Sequence, residues 1–394
     1  MLRSFRLGNH RSVRDEHELS LLPAYDRDQP ALPVIAIFGA NASGKSNVLN
    51  GLSFMREAVL ESFQRWDADD GVPRTQFRLD PGAADRPSTF VVDVLIDHVR
   101  HTYGFATSSD SITDEWLYTY PAKRKRVLFE RSGDHVTFGS TMSEFNSKLG
   151  VLEDLTRPNA LFLSVAAQSS IDPLMPIYRW FRSGVRVRRS RVGTREPVIA
   201  RRVLDIWNDQ PEGRDRLFAL LAAADVGISK LMLRASEDQD ISLVFTHGDP
   251  DAEFELQDES DGTRAWLELL VIVLAVVRQG DVLVVDEIDS SLHPLLTTRL
   301  VGLFRDPETN SRGAQLIFTT HDASLLGTML GEEVLARDQV WFVEKDATGA
   351  SNLYPLTDFK PRVGENTERR YLAGSYGAVP VLDAQEFARA VRDR

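Results

Sequence analysis

The chain has 394 residues, no cysteine and a formal net charge of −12. The lack of cysteine excludes disulfides and thiolate metal sites and is compatible with a reducing cytoplasm. The negative charge excludes a surface coated with cations for DNA, so any nucleic-acid contact must come from a local patch. Because residues 1–6 lack a signal-peptide pattern and the longest apolar run is 269–277, the sequence predicts a soluble, cytoplasmic protein without a membrane span.

A phosphate-binding motif follows residues 2–22, which predict two short strands around a polar turn. Residues 39–46 read Gly-Ala-Asn-Ala-Ser-Gly-Lys-Ser and match the P-loop pattern G-x-x-x-x-G-K-[ST]. The apolar run 34–38 before it predicts a strand, and the run 47–54 after it predicts a helix. A chance glycine and serine loop is the alternative, but the motif needs this order of strand, loop and helix and the chain supplies it.

The chemistry of this loop follows from its backbone. Small residues let successive N–H groups point at phosphates, and the N-terminus of the following helix adds positive potential. Lys45 can then reach the β- and γ-phosphates, and the Ser46 hydroxyl can ligate Mg²⁺. The sequence therefore predicts ATP and Mg²⁺ as cofactors. The predicted nucleotide contacts in this loop are Gly39, Asn41, Ala42, Ser43, Gly44, Lys45, Ser46 and Asn47.

The middle of the chain changes character twice. Residues 76–139 hold runs of β-branched and aromatic residues broken by Gly, Asp and Ser, which predicts an antiparallel meander. Residues 172–225 have apolar side chains at roughly helical spacing and predict helices, with strands returning at 231–233 and 241–245.

The helical stretch also carries an arginine cluster with one acid, Glu196, inside it. Its members could bind the phosphates of DNA or RNA, pair with acids elsewhere in the fold, or dock an acidic partner. They are Arg179, Arg182, Arg186, Arg188, Arg189, Arg191, Arg195, Arg201 and Arg202.

An apolar strand that ends in two acids completes the predicted site. Residues 282–285 read Val-Leu-Val-Val without alternation, which predicts a strand buried on both faces of a parallel sheet. Asp286 at its carboxyl end would hold Mg²⁺, and Glu287 could polarise the attacking water. Alone, two acids would favour a solvated turn, whereas the P-loop upstream favours the catalytic interpretation. A helix is expected near 295–304, with strands at 314–320, 339–344 and 351–356.

The order of these motifs resembles the ABC-type ATPase heads of the SMC, RecF and OLD (overcoming lysogenisation defect) group. The resemblance covers most of the chain and is densest at residues 1–60 and 255–325. The chain looks most similar to single-chain AAA family ATPases of the RloA type, which occur in restriction and phage-defence loci. The stretches that carry this similarity are 38–47, 286–294 and 368–380.

The resemblance implies residues that act across a dimer. Ser260-x-Gly262, which opens an apolar helix, takes the place of the signature motif, which contacts the γ-phosphate bound by the other subunit. Asp261 stands where transporter signatures carry Gly, and an ordinary N-capped helix would also explain Ser260. His321, after an apolar strand, takes the place of the switch histidine and would be catalytic together with Glu287 and Lys45.

Other assignments rest on the resemblance alone. Residues 290–293 take the D-loop position. Gln168 takes the Q-loop position and would join Ser46 and Asp286 at the metal. Arg11 and Ser12 are expected near the nucleotide.

The predicted fold class is α/β: a P-loop NTPase built as an ABC-ATPase-like head, with a parallel core sheet, an antiparallel β subdomain and a helical insertion. The predicted boundaries place an N-terminal lobe at 1–168 and the arginine-rich helical insertion at 169–230. A C-terminal lobe follows at 231–360 and a tail at 361–394.

The predicted function is ATP hydrolysis by an ATP-dependent homodimer, or a higher oligomer, in which each subunit closes the other's nucleotide site. The resemblance implies a sensor or switch in anti-phage defence or another DNA-linked process. A separate, RloB-like nuclease would be the effector, because the sequence shows no nuclease constellation of its own. The alternatives are a nucleotide-gated scaffold with slow turnover, a transporter ATP-binding subunit, which the large insertion disfavours, and a small-molecule P-loop kinase.

Overall fold

The computed structural model describes residues 1–26, 28–188, 196–209, 212–224, 227–235, 241–248, 252–290, 292–329, 333–362 and 364–380. The strands in this part of the chain are β1 (Leu2–Gly8), β2 (His17–Ser20), β3 (Val34–Phe38), β4 (Ser88–Ile96), β5 (Val99–Thr107), β6 (Ile112–Thr119), β7 (Arg126–Ser132), β8 (His135–Phe138), β9 (Val185–Arg188), β10 (Ile228–Ala235), β11 (Ile241–His247), β12 (Glu253–Glu255), β13 (Val282–Val285), β14 (Gln315–Thr320), β15 (Val340–Lys345) and β16 (Ser351–Pro355).

The helices connect and cover these strands. They are α1 (Lys45–Glu61), α2 (Asn146–Leu155), α3 (Phe162–Ala166), α4 (Met175–Ser183), α5 (Glu196–Asp209), α6 (Gly213–Ala222), α7 (Asp261–Gln279), α8 (Pro294–Arg305) and α9 (Thr367–Leu372).

The strands form a core sheet and two antiparallel sheets. The core sheet has the order β16-β15-β3-β14-β13-β9, and its neighbours are parallel except for the pair β15 and β16. The amino-terminal sheet has the order β2-β1-β4-β5-β6-β7-β8 and is antiparallel throughout, and a small sheet joins β10, β11 and β12. The predicted α/β fold, with a mostly parallel core sheet and an antiparallel β subdomain, is confirmed.

The core sheet is covered on both faces, as the unbroken apolar runs predict. All five residues of β3 and all four of β13 are buried. Because side chains alternate along a strand, Ile35 and Ile37 pack with α1 and the β subdomain, whereas Ala36 and Phe38 pack with α7 and α8. The P-loop strand therefore joins the two hydrophobic cores of the molecule.

The stretch 172–225 is not helical throughout. Helices α4, α5 and α6 confirm part of that prediction, but Val185–Arg188 between them forms β9, which pairs in parallel with β13 at the edge of the core sheet. A strand of four residues gives too short a period-two signal to stand out beside helical spacing, and its pairing with β13 decides its conformation. The expected helical insertion at 169–230 thus contributes one strand to the core.

The segment after β16 is docked on the core rather than extended. Tyr371 and Tyr376 are buried, and both rings stack on Phe342 of β15. The ring of Tyr371 also meets Phe38 at the end of the P-loop strand, edge to face at 5.9 Å. The described part of the predicted tail, up to residue 380, therefore belongs to the packed fold, and residues 381–394 lie outside the description.

Candidate functional site

The P-loop joins β3 to α1 at the carboxyl edge of the core sheet. Gly44 adopts φ +108°, a left-handed conformation that favours glycine, and no side chain caps α1. The N–H groups of Lys45 and Ser46, the first two of a 17-residue helix, therefore remain free to meet an anion, whereas that of Asn47 already bonds the Gly44 carbonyl. Asn41, Ala42 and Ser46 lie exposed around this opening.

Hydroxyl groups from distant parts of the chain brace the loop from behind. Ser351 of β16 donates its Oγ proton to the carbonyl of Ser43 at 2.6 Å and lies 2.7 Å from Ser12 Oγ. Asn47 Nδ2 donates to the same Ser12 Oγ at 2.6 Å. A Cβ on Gly44 would come within 2.1 Å of Ser351 Oγ, so only glycine fits there. Ser12 was expected near the nucleotide, and the structure places it against the P-loop backbone.

Lys45 is buried under the loop. Its Nζ donates to the carbonyls of Gly39 at 2.7 Å and Ala40 at 3.1 Å. Burial lowers the pKa of the Lys45 ammonium group, while the nearby acids Asp289, Glu287 and Asp286 oppose that shift. The cation is thus held at the centre of the loop, facing three carboxylates on the turn after β13.

The P-loop serine and the strand-end aspartate are brought together. Ser46 Oγ donates to Asp286 Oδ1 at 2.9 Å, although 240 residues separate them in the chain. Thr319 of β14 donates its hydroxyl proton to the same Oδ1 at 2.7 Å. Two hydroxyls thus fix the carboxylate and leave Asp286 Oδ2 without a protein hydrogen bond in the described structure. Sequence reasoning missed Thr319, whose only signal was a hydroxyl residue on the adjacent strand.

The oxygen atoms at this point fit Mg²⁺. Mg²⁺ prefers hard oxygen ligands and is usually held by one or two protein groups plus substrate phosphates. The Ser46 hydroxyl and Asp286 Oδ2 are such ligands, and they lie beside the N-terminus of α1. No cluster of three or more His, Cys, Asp or Glu side chains that could hold a metal occurs among the described residues.

Glu287 has an unusual backbone conformation. Its φ is +52°, in the left-handed region that non-glycine residues rarely adopt. The strained turn is held because the Glu287 N–H donates to Thr319 Oγ1 at 2.7 Å and the Ile288 N–H to the Thr319 carbonyl at 3.1 Å. Such strain, kept in place by its neighbours, is common at functional sites. It keeps Glu287 on the turn with Asp286, where it is half-buried.

His321 lies beside the same turn. It follows β14, and its Nδ1 atom is 3.0 Å from Asp289 Oδ2. The imidazole is 62% exposed, whereas the Asp289 side chain is 6% exposed. The two loops that carry Asp286 and His321 are therefore in contact, as the predicted roles require. Of the expected D-loop, Ser290 is exposed and Ser291 lies outside the described residues.

Ser260 is the N-cap of α7, because its Oγ accepts a hydrogen bond from the Thr263 N–H at 3.1 Å. It is nonetheless exposed, and Gly262 is half-buried. Farther along α7, Glu268 pairs with Arg188, which is level with the end of β13. Eight residues separate Ser260 from Glu268, so Ser260 projects about 12 Å farther along the helix. The exposed start of α7 thus projects beyond the carboxyl edge of the core sheet.

Gln168 is the predicted metal-site residue that the structure places elsewhere. Its Oε1 accepts a hydrogen bond from Gln64 Nε2 at 3.0 Å, just past the carboxyl end of α1. Because α1 has 17 residues and a length of about 25 Å, Gln168 lies at the opposite end of that helix from Ser46. The structure does not bring it to Asp286. Arg11, also expected near the nucleotide, is exposed on the turn that carries Ser12.

The arginine cluster is divided by the fold. Arg186 pairs with Asp281 at 3.1 Å and Arg188 with Glu268 at 3.5 Å, while Arg179 is exposed on α4. Arg201 pairs with Asp205 along α5. Arg189, Arg191 and Arg195 lie outside the described residues.

Part of the cluster lines a groove of about 1590 Å³ that contains no P-loop residue. Four acids and eight arginines are among its described lining residues, and half of these arginines come from outside the sequence cluster. The arginines are Arg56, Arg182, Arg186, Arg188, Arg202, Arg216, Arg278 and Arg312.

The P-loop, the acid-tipped strand two places away in the sheet and the strand between them that ends at His321 define a P-loop ATPase of the ABC type. Residues 34–327 match the family described as AAA domain, putative AbiEii toxin, Type IV TA system, and the chain belongs to this family. No curated protein matches the chain.

Solved structures with a similar overall arrangement include Smc head domains. The SmcHead bound to the C-winged helix domain of ScpA is 15% identical, with 90% of this chain and 96% of that chain covered and a TM-score of 0.45. The Smc head domain with a coiled coil and joint from Pyrococcus yayanosii is 11% identical, with 95% and 99% covered and a TM-score of 0.47. Within the described residues, no helix is both long and apolar enough to cross a bilayer.

Proposed function

We propose that the chain binds and hydrolyses ATP and that ATP holds two copies of it together as a switch. The observation that carries the proposal is the hydrogen bond between Ser46 and Asp286, which places hydroxyl and carboxylate oxygens at the mouth of the P-loop. Bound Mg²⁺ would neutralise charge on the β- and γ-phosphates. Nucleotide-gated scaffolding with slow turnover uses the same contacts and differs only in rate.

The chain's own groups have separate tasks in this reaction. The free N–H groups at the start of α1 and the Lys45 ammonium group would hold the phosphates. Glu287 would orient and deprotonate the attacking water, and His321 would contact the γ-phosphate. Positioning and charge neutralisation supply most of the catalysis in phosphoryl transfer, so these groups need to be fixed rather than reactive.

Lys45→Ala tests the site. We expect loss of ATP turnover by at least about 100-fold, because the phosphates lose their main protein cation. Phosphate release and nucleotide binding by calorimetry would measure the effect, with Arg126→Ala on the surface of β7 as a control. Wild-type turnover in the Lys45 variant would contradict the assignment.

The exposed position of Ser260 supports the dimer. An exposed helix start that projects beyond the carboxyl edge of the core sheet can serve as an anion site for a partner, related by a two-fold axis. Glu287→Gln should keep ATP and Mg²⁺ bound without hydrolysis and sediment as a dimer, while the same protein with ADP should sediment as a monomer. Adding Ser260→Arg should prevent the dimer. A species that stays monomeric in ATP would sink this idea.

A role in phage defence, of the RloA type with an RloB-like effector nuclease, is the biological setting that the motif resemblance favours. The direct test is to purify the chain with the product of its neighbouring gene. Nuclease activity in that complex, dependent on ATP and lost in Lys45→Ala, would support it. A complex whose nuclease ignores Lys45→Ala would contradict control by this ATPase.

A second activity, binding of nucleic acid, is favoured by the arginine groove. Arg182, Arg202 and Arg312 line it and have no ion pair among the described residues, in a chain whose net charge is −12. No aromatic side chain is among its described lining residues, so contacts would go to the phosphate backbone and not to stacked bases.

Arg202→Glu combined with Arg312→Glu should weaken duplex binding by about 10-fold or more at low salt, and the affinity should fall as salt rises. Fluorescence anisotropy of a labelled duplex would measure both effects, with Arg126→Glu as the matched charge reversal elsewhere. Binding that is absent or independent of salt would reject this activity. Capture of polyglutamate instead of DNA would point to an acidic protein partner.

A further inference from the structure

Asp289 is a buried acid beside the candidate site that the proposed chemistry does not use. It lies three residues after Asp286, and its side chain is 6% exposed. One of its oxygens, Oδ2, accepts a hydrogen bond from the backbone N–H of His321 at 3.3 Å and lies 3.0 Å from His321 Nδ1. A single carboxylate oxygen therefore meets both the main chain and the ring of the same histidine.

The contact is built on a rigid connection between two loops. The turn after β13 is tied to Thr319 through the amides of Glu287 and Ile288, and Ile288 is itself buried. His321 is two residues beyond Thr319 on the other loop. Because these bonds fix where Asp289 sits, they also fix where the imidazole of His321 can sit.

The ring geometry matters for the exposed nitrogen. With the Nδ1 proton donated to Asp289, the neutral ring carries its lone pair on Nε2. Nε2 has no protein partner in the described structure, and the imidazole is 62% exposed. The arrangement parallels the way a buried carboxylate orients the histidine of a hydrolase through Nδ1.

We propose that Asp289 is a positioning residue that fixes the tautomer and direction of the His321 imidazole and so presents Nε2 to the γ-phosphate or attacking water bound at the P-loop. This inference rests on the proposed ATPase function and adds a residue to it. The role is carried by the contact of Asp289 with His321.

Two further observations agree with a functional role. Asp289 Oδ1 is buried and lacks a hydrogen-bond partner in the described structure, a costly state for a carboxylate that serves the fold alone. Among neighbouring acids, Asp289 also has the largest influence on the pKa of Lys45, so it lies close to the centre of the site.

The test compares Asp289→Ala, Asp289→Asn and the control Asp306→Ala. Asp306 likewise accepts a hydrogen bond, from the Thr309 hydroxyl after α8, but it lies outside the site. We expect Asp289→Ala to lower kcat on the order of 10-fold with an unchanged KM for ATP, because a misdirected catalytic group costs rate more than binding. Asp289→Asn keeps an acceptor oxygen and should recover much of the rate, and Asp306→Ala should match the wild type.

Spectroscopy separates positioning from a general loss of structure. The ¹⁵N resonances of the His321 ring, identified by their absence in His321→Gln, should show a protonated Nδ1 in the wild type and in Asp289→Asn. They should move toward the free-imidazole pattern in Asp289→Ala, with no change in Asp306→Ala. In a His321→Gln background, Asp289→Ala should cause no further loss of kcat.

An equal loss of kcat in both backgrounds, a raised KM for ATP or an unchanged His321 spectrum in Asp289→Ala would overturn the inference. A wild-type protein that binds ATP but does not hydrolyse it would instead reject the proposed function. The ¹⁵N spectra would still decide whether Asp289 sets the imidazole.

Discussion

Two buried acids, Glu115 in the β subdomain and Asp289 on the turn after β13, have very different hydrogen-bond environments. Glu115 is fully buried and accepts hydrogen bonds from the Tyr103 hydroxyl at 2.9 Å and from two backbone N–H groups at the start of α3, with Arg131 3.8 Å away. Asp289 keeps one oxygen without a partner.

The difference separates an acid that holds the fold together from one that positions a side chain of the candidate site. Burial raises the pKa of Glu115, and Arg131 and the donated hydrogen bonds counter that rise. Such a group costs little while every bond is made and a great deal when one is lost. Around the P-loop, unsatisfied oxygens and the strained backbone of Glu287 lower the stability of the fold, but they leave the site ready to bind.

The largest effect that we expect to distinguish the two acids is the loss of stability in Glu115→Ala. The change leaves the two N–H groups at the start of α3 without their acceptor and Arg131 without its neighbouring charge, and we expect the free energy of unfolding to fall by about 3–5 kcal/mol. Denaturant unfolding followed by circular dichroism would measure it. Turnover per folded molecule should stay at the wild-type value, and a selective loss of activity without a loss of stability would contradict a purely structural role.

A slightly smaller effect on stability is expected at His10, where α1 packs on the β subdomain. The His10 ring packs between Phe54 of α1 and Phe90 of β4, and burial lowers its pKa to about 4. As pH falls below about 6.5, His10 becomes protonated in the unfolded chain but stays neutral in the folded chain. The fold therefore loses stability between pH 6.5 and 4. The expected total loss of unfolding free energy over this pH range is about 3 kcal/mol.

His10→Gln should remove this part of the pH dependence, because the amide can keep the bond to Asn50 without titrating. The difference between wild-type and variant unfolding free energies at pH 7 and pH 4.5 isolates the contribution of His10 from that of the carboxylates. Equal slopes in the two proteins would show that His10 is accessible to protons in the folded state.

Asp286→Asn should show the opposite behaviour from Glu115→Ala. Oδ1 can still accept from Ser46 and Thr319, so stability should change by less than about 1 kcal/mol. Loss of the negative charge should lower ATP turnover on the order of 100-fold and weaken the dependence on Mg²⁺. A magnesium titration of the phosphate-release rate would measure this, and a large drop in stability would place Asp286 in the same class as Glu115.

The sequence was enough to predict the P-loop and the acid-tipped strand, because each is a local pattern at the end of a buried strand. The role of His321 came from the family resemblance and stays a prediction. The sequence could not predict β9, whose four residues form a strand only because β13 offers them an edge. The same limit applies to Gln168. A generic local pattern could not tell which end of α1 this residue would contact. Thr319 and Asp289 were missed because each gains its meaning from a contact between loops more than 30 residues apart.

The brace behind the P-loop has a consequence for synthesis of the protein. Ser351 reaches the Ser43 carbonyl from 308 residues downstream, so a ribosome must pass Ser351 before that support exists. A nascent chain halted at residue 340 would contain the complete P-loop sequence but lack the Ser351 hydroxyl that supports the loop conformation. Nucleotide capture would then come late, which would keep unfinished chains from engaging ATP or one another.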